Sequence, residues 1–86
     1  MKYRSKPKVI EARQLTLDNM IEVMEWSGGI RWSRPPMRAI TGLKIKTLEG
    51  DMTASFGDWI VKGTHGEFYP VKENIFHDLY EAVKNE

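Results

Sequence analysis

The stretch from Leu43 to Tyr69 limits the fold more than any other part of the chain. Apolar and polar residues alternate there with a period near two, and glycines at 50, 57, 63 and 66 cut the run into short pieces. Alternate residues of a strand share a face, whereas a helix returns to one face only every three or four positions. Ile45, Thr47, Trp59, Val61 and Phe68 therefore fit pleated strands and not a helical stripe. Leu43-Lys44-Ile45-Lys46-Thr47-Leu48 reads as one strand, Glu49-Gly50-Asp51 as a tight turn and Met52-Thr53-Ala54-Ser55 as the return of a hairpin. Phe56-Gly57-Asp58 turns the chain into Trp59-Ile60-Val61-Lys62, and Gly63-Thr64-His65-Gly66 reverses it into Glu67-Phe68-Tyr69-Pro70. Pro70 has no amide hydrogen, so strand pairing is expected to end there.

The flanks add a strand and a helix. Lys8 to Leu15 alternates well enough for a first strand. Thr16 offers a hydroxyl for a helix N-cap, and Asp18 places negative charge where the helix dipole favours it. Leu17, Met20, Ile21 and Met24 recur at helical spacing with Asp18, Glu22 and Glu25 opposite them, predicting an amphipathic helix over residues 17–27 that Gly28 and Gly29 close. The two prolines in Ile30-Arg31-Trp32-Ser33-Arg34-Pro35-Pro36-Met37-Arg38 forbid a helix interior or a central strand, leaving an extended loop or a sheet edge. Residues 73–84 fit one helix, or a helical turn at Asn74–His77 followed by a short strand at Leu79–Val83; the second is favoured. The expected class is α+β: a bent antiparallel sheet or partly closed barrel of five or six strands with one helix on one face. Its core is expected to hold Ile10, Leu17, Met20, Ile21, Met24, Leu43, Ile45, Leu48, Trp59, Val61, Phe68, Ile75, Phe76 and Leu79, although a slip of one residue would turn any strand over.

At 86 residues, 41% hydrophobic and 29% charged, the chain is long enough for one domain with a small core, spanning 1–86. The absence of cysteine excludes a disulfide framework, a thiolate nucleophile and a cysteine-based zinc site. The charged start, Met1 to Lys8, leads into Val9-Ile10-Glu11 and not into a long apolar region, so no secretory leader is expected, nor any membrane span; the expected location is the cytoplasm. Net charge is only +1, yet residues 1–46 hold ten Lys/Arg against four acids and residues 47–86 hold three against eight. Either the fold keeps this separation and steers an acidic partner, or basic and acidic strands lie side by side and cancel.

The most distinctive side chains for recognition are Arg31, Trp32, Arg34 and Arg38, with Lys44 and Lys46 beyond them. Arginine with tryptophan suits phosphate contact and base stacking, and is also enriched at protein–protein hot spots. The plainer alternative is that Trp32 covers one end of the core and the arginines are solvated. Candidates for catalysis are His65, His77, Asp58, Asp78, Glu67 and Tyr69. A nucleophile needs an adjacent base and a group to orient it, and a metal needs converging ligands; two histidines twelve residues apart without an HxH or HExxH pattern supply neither. No enzyme, metal site or cofactor is expected. Asp58 after Gly57 reads as a turn residue bonding nearby amides.

Lys2-Tyr3-Arg4 with Lys6-Pro7, Val9-Ile10-Glu11-Ala12 and Gln14, then Ile45 to Gly50, Gly57-Asp58-Trp59-Ile60, Lys62-Gly63, Gly66 to Pro70, Ile75-Phe76 and Tyr80-Glu81 resemble a widespread family of small bacteriophage and prophage proteins of unassigned function. Members of that family usually carry proline where this chain has Phe56, and the segment around residues 30–38 reads as a variable insertion. The resemblance implies a phage-encoded protein acting in the host cytoplasm. Together with the residues, it leads to the expectation of a non-catalytic module that binds a host or phage protein. The alternative is a nucleic-acid-binding protein using the basic N-terminal half, against which stands an isoelectric point near 8.0, below the value above about 9 typical of such domains. A sheet edge pairing with its twin would give a homodimer.

Overall fold

The computed structural model describes residues 1–4, 6 and 8–83. The elements in chain order are β1 (Glu11–Gln14), α1 (Met20–Ser27), β2 (Ile30–Trp32), β3 (Gly42–Thr47), β4 (Gly50–Ser55), β5 (Trp59–Lys62), β6 (Phe68–Val71) and α2 (Glu73–Leu79). The α+β class holds, but the strands do not make one bent sheet or a barrel. They form two three-stranded antiparallel sheets, β1-β5-β6 and β2-β3-β4. The division falls at Phe56-Gly57-Asp58. Gly57 has φ 101°, a backbone that only glycine adopts freely, and its amide donates to the carbonyl of Leu15 at 2.7 Å while Leu15 donates to the carbonyl of Asp58 at 2.8 Å. The turn thereby hands the chain from β4 to the end of β1, and β5 pairs with β1 instead of β4, Gln14 lying opposite Trp59.

The hairpin forms as expected, with its turn one residue earlier: Thr47 pairs with Gly50, leaving Leu48 and Glu49 at the tip. The Thr47 hydroxyl donates to the Gly50 carbonyl at 2.6 Å and accepts the Glu49 amide at 3.1 Å, which fixes the register. Gly42 is required where β3 meets β4, since a Cβ there would overlap the carbonyl oxygen of Ala54. Pairing does not stop at Pro70: it lies inside β6, opposite Ile60, and Val71 still pairs with Trp59. The Gly63 amide donates to the Glu67 carbonyl at 2.7 Å. That bond sets the phase of the ladder so that Pro70 occupies a position whose amide would point away from β5, and the missing donor costs the sheet nothing.

The helix begins at Met20 and not at 17. Thr16 does not cap it; its amide donates to Asn19 Oδ1 at 2.8 Å and its hydroxyl accepts the Asn19 amide at 3.2 Å, closing a separate turn over residues 16–19. Asn19 Nδ2 also donates to the Gln14 carbonyl at 2.8 Å. The end is as expected: Gly28 takes the left-handed conformation at φ 74° and its amide bonds the Met24 carbonyl. The stripe that faces inward is Met20, Val23 and Met24, with Val23 fully buried, while Leu17, in the turn before the helix, is 71% exposed and Ile21 half exposed.

The main core lies between the two sheets and α1. Leu15, Val23, Leu43, Ile45, Ala54 and Ile60 fill it, with Met20, Met24, Trp26, Phe56 and Phe68 packed around them. Of the residues expected inside, Leu43, Ile45, Val61 and Phe76 are buried, Ile10, Met20, Met24, Trp59 and Phe68 are partly so, and Leu17, Ile21, Leu48, Ile75 and Leu79 are exposed. Leu48 is outside because it sits at the hairpin tip, and Ile75 and Leu79 because α2 is short and turns one face only, through Phe76, to the sheet. Neighbouring Ile60 and Val61 are both buried because β5 is a central strand covered on each side: Ile60 meets the main core and Val61 faces α2.

The segment 73–84 is helical over Glu73–Leu79. The strand expected at Leu79–Val83 is absent; Tyr80 is extended and unpaired, and residue 84 lies outside the described residues. Phe76 anchors α2 by stacking on Trp59 with centroids 4.1 Å apart and planes 3° from parallel. Among the described residues the buried indole N–H of Trp59 has no acceptor, so ring contact seats it. The other anchor is Asp58. Its Oδ2 accepts the Ser55 amide at 2.9 Å, its Oδ1 accepts the Glu73 amide at 3.3 Å, and Lys72 Nζ stands 3.6 Å away. Asp58→Ala leaves two backbone donors short of an acceptor and is expected to lower unfolding free energy by about 2–4 kcal/mol, measured by urea denaturation. Asp58→Asn, which keeps one acceptor oxygen, is expected to cost less.

Candidate functional site

The residues singled out around 31–46 fall on β2, the loop after it, and β3. Directly opposed residues of an antiparallel pair point to the same face. Ile30 lies opposite Lys44 and Trp32 opposite Gly42, while Lys44 lies opposite Thr53 and Lys46 opposite Asp51. Leu43, Ile45 and Ala54 point into the core, so the alternate set, Ile30, Trp32, Lys44 and Lys46, is on the outward face. Among the described residues no helix covers that face, as α1 packs on the inner side. Ile30 is 59% exposed and Lys46 is exposed, with Trp32 and Lys44 half-buried.

Arg34 joins this face although it lies beyond the strand. Its amide donates to the Thr41 hydroxyl at 2.8 Å, its Nη2 donates to the Ser55 hydroxyl at 3.2 Å, and its guanidinium carbon stands 5.2 Å from the centre of the Trp32 ring. Thr41 also ties the loop to β2, its amide donating to the Trp32 carbonyl at 2.9 Å. The fold therefore brings together Trp32, Arg34, Lys44 and Lys46. It does not bring in Arg31, which points to the side of Leu43, or Arg38, which is exposed in the loop. Thr41 and Ser55 were not visible as partners of Arg34 in the sequence, since hydroxyl residues 7 and 21 positions away carry no local pattern.

The electrostatics of this face are basic but not uniform. Among the described residues, Arg34, Lys44 and Lys46 have no carboxylate within ion-pair distance. Asp51 nevertheless sits across the ladder from Lys46, so the sequence asymmetry is partly cancelled between β3 and β4.

The residues considered for catalysis are dispersed. Asp58 is buried in its structural role. His65 is exposed in the β5–β6 loop; its amide donates to Glu67 Oε1 at 3.0 Å and its Nδ1 lies 3.4 Å from the Thr64 hydroxyl. His77, on α2, presents its ring edge-on to Trp59 at 5.6 Å, and Asp78 is exposed. Among the described residues no three His, Asp or Glu side chains are placed to hold a metal ion, and no helix is long and apolar enough to cross a membrane.

Tyr69 lies on the α2 side of β6, its hydroxyl 3.1 Å from that of Tyr80. Burial pushes it up from its ordinary 10.0 to about 12, helped by the hydrogen bond to Tyr80 and by the negative charges of Tyr80 and Glu67. No family model matches this chain, and no curated protein and no solved structure matches it.

Because the value is higher in the folded state than in the unfolded chain, folding favours the protonated phenol. That stabilisation is complete below pH 10.0 and is lost as pH rises from there to about 12. A spectrophotometric titration of tyrosinate absorbance is expected to show one late-titrating phenol that moves earlier in Tyr80→Phe, and the denaturation midpoint is expected to fall over the same pH interval.

Proposed function

We propose that the chain is a non-catalytic binding module that seats an acidic protein surface on the open face of β2-β3-β4. What supports this reading best is the convergence of Trp32, Arg34, Lys44 and Lys46 on a sheet face that no helix covers. Trp32 provides a large, stiff apolar contact with a cation beside it, the combination that dominates protein–protein hot spots. Ile30 extends the apolar contact, and Lys44 and Lys46 border it with positive charge suited to orienting an acidic partner during encounter. The resemblance to small bacteriophage and prophage proteins makes that partner a host or phage protein met in the host cytoplasm.

The same aromatic and basic groups also favour a second reading, single-stranded nucleic acid stacked on Trp32 with phosphates on Arg34 and the lysines. Asp51 across from Lys46, and the placement of Arg31 and Arg38 off this face, weaken that reading by lowering the density of cations along a backbone path.

The test compares the unmodified chain with the triple variant Trp32→Ala, Lys44→Ala, Lys46→Ala, each immobilised and exposed to bacterial lysate and, separately, to a single-stranded oligonucleotide at low salt. A protein retained by the first and lost from the second is the expected result, with Trp32→Ala alone weakening the isolated complex roughly thirtyfold. Equal retention by both chains overturns the assignment of this face. Oligonucleotide binding that the triple variant abolishes, without a protein partner, replaces the first reading with the second.

A further inference from the structure

A groove of about 530 Å³ opens on the other sheet, lined by Lys6, Lys8, Ile10, Gly63, Thr64, Glu67, Tyr69, Leu79 and Tyr80. Its volume lies in the range of small-molecule sites, roughly 300–1,000 Å³, which are apolar clefts with a few placed polar groups. Three observations give it a chemical character. Lys6 and Lys8 are exposed and, among the described residues, have no carboxylate within ion-pair distance. The one acid on the lining, Glu67, is held by the His65 amide at 3.0 Å to its Oε1, with its carboxylate folded over Gly63 in space that a Cβ there would occupy; it stays anionic, so the two lysines outweigh it by a single positive charge. The Tyr69 and Tyr80 hydroxyls lie 3.1 Å apart; one donates to the other, which leaves a single phenolic hydrogen to donate outward. Two exposed ammonium groups and a hydroxyl donor beside the apolar surfaces of Ile10 and Leu79 call for a ligand with an anionic head on an apolar body.

We propose that this groove binds a small phosphomonoester of an apolar alcohol or phenol. The phosphate lies against Lys6 and Lys8 and accepts the free hydrogen of the tyrosine pair, and the apolar body rests on Ile10 and Leu79. A phosphate suits two ammonium groups and a hydroxyl better than a carboxylate does, since its oxygens accept from several directions and it carries up to two charges. The site is on β1-β5-β6 and α2, apart from Trp32, Arg34, Lys44 and Lys46, so it stands or falls independently of the function proposed above.

Phenyl phosphate titrated into the isotopically labelled full chain, followed by amide chemical shifts, tests it. Saturable shifts at Lys8, Gly63, Thr64 and Tyr80 are expected. The double variant Lys6→Ala, Lys8→Ala is expected to weaken binding by about tenfold or more, the double variant to Arg to restore it, and Tyr80→Phe to weaken it several-fold. The substituted lysines are exposed, so the fold is retained, and an unchanged spectrum without ligand confirms this. Absence of saturable shifts, or binding unaffected by loss of both lysines, overturns the proposal. Inorganic phosphate binding as tightly as phenyl phosphate overturns it equally, because the apolar body would then contribute nothing.

Discussion

The fold depends on one carboxylate. Asp58 stands where the chain leaves one sheet and enters the other, and its side chain accepts an amide from the end of β4 and another from the start of α2. Its backbone carbonyl receives the amide of Leu15 and its own amide donates to Ser55. Four bonds from one residue thus join β4, the continuation of β1 and α2. A buried carboxylate is costly unless its oxygens are satisfied; here two amides and the neighbouring Lys72 ammonium satisfy them. α2 has seven residues, too few to be stable in isolation, so it exists because Asp58 receives its first turn and Trp59 stacks on Phe76.

From this crossing follows the difference between the two sheets. β1-β5-β6 is covered on both faces, by the core on one side and α2 on the other, and its central strand buries Ile60 and Val61 in succession. Among the described residues β2-β3-β4 is covered on one face only. Leu43, Ile45 and Ala54 hold its inner face in the core, and the outer face carries Trp32, Lys44 and Lys46 on strands that cannot shift register without expelling those three. Arg34 is held to the same face from an irregular loop by hydroxyls of Thr41 and Ser55. A ladder thus presents side chains of which one, Arg34, comes from outside the strands and is placed by the Thr41 and Ser55 hydroxyls and the Trp32 ring.

Local chemistry was the legible part. Alternation located β3, β4, β5 and β6, the Gly28 cap ended α1 where expected, and Asp58 was read as a turn residue bonding nearby amides. What escaped was decided at a distance. Phe56-Gly57-Asp58 looks like any glycine turn, and only its bonds to Leu15 show that it changes sheets. The start of α1 differs from the sequence expectation because the Thr16 hydroxyl, a good cap in isolation, is used with Asn19 in a turn before the helix. That delay leaves Leu17 in the turn before the helix, and the face that α1 turns inward is centred on Val23, away from Ile21. For the outward face, the residue types were legible and their meeting was not: strand pairing brings Trp32, Lys44 and Lys46 together, and the same pairing sends Arg31 to the opposite side.

Pro70 has a consequence for the outer side of β6. A bare strand edge is a template on which a second chain can lay its own backbone, and repeated addition of that kind ends in fibres. At the rim of β6 the ring of Pro70 stands where an outward amide would be, so an incoming strand meets a gap in the row of donors and a bulky pyrrolidine in its path. The residue that costs its own sheet nothing thus withholds one donor on the side of β6 away from β5, in a strand that also lies close to β3 and β4.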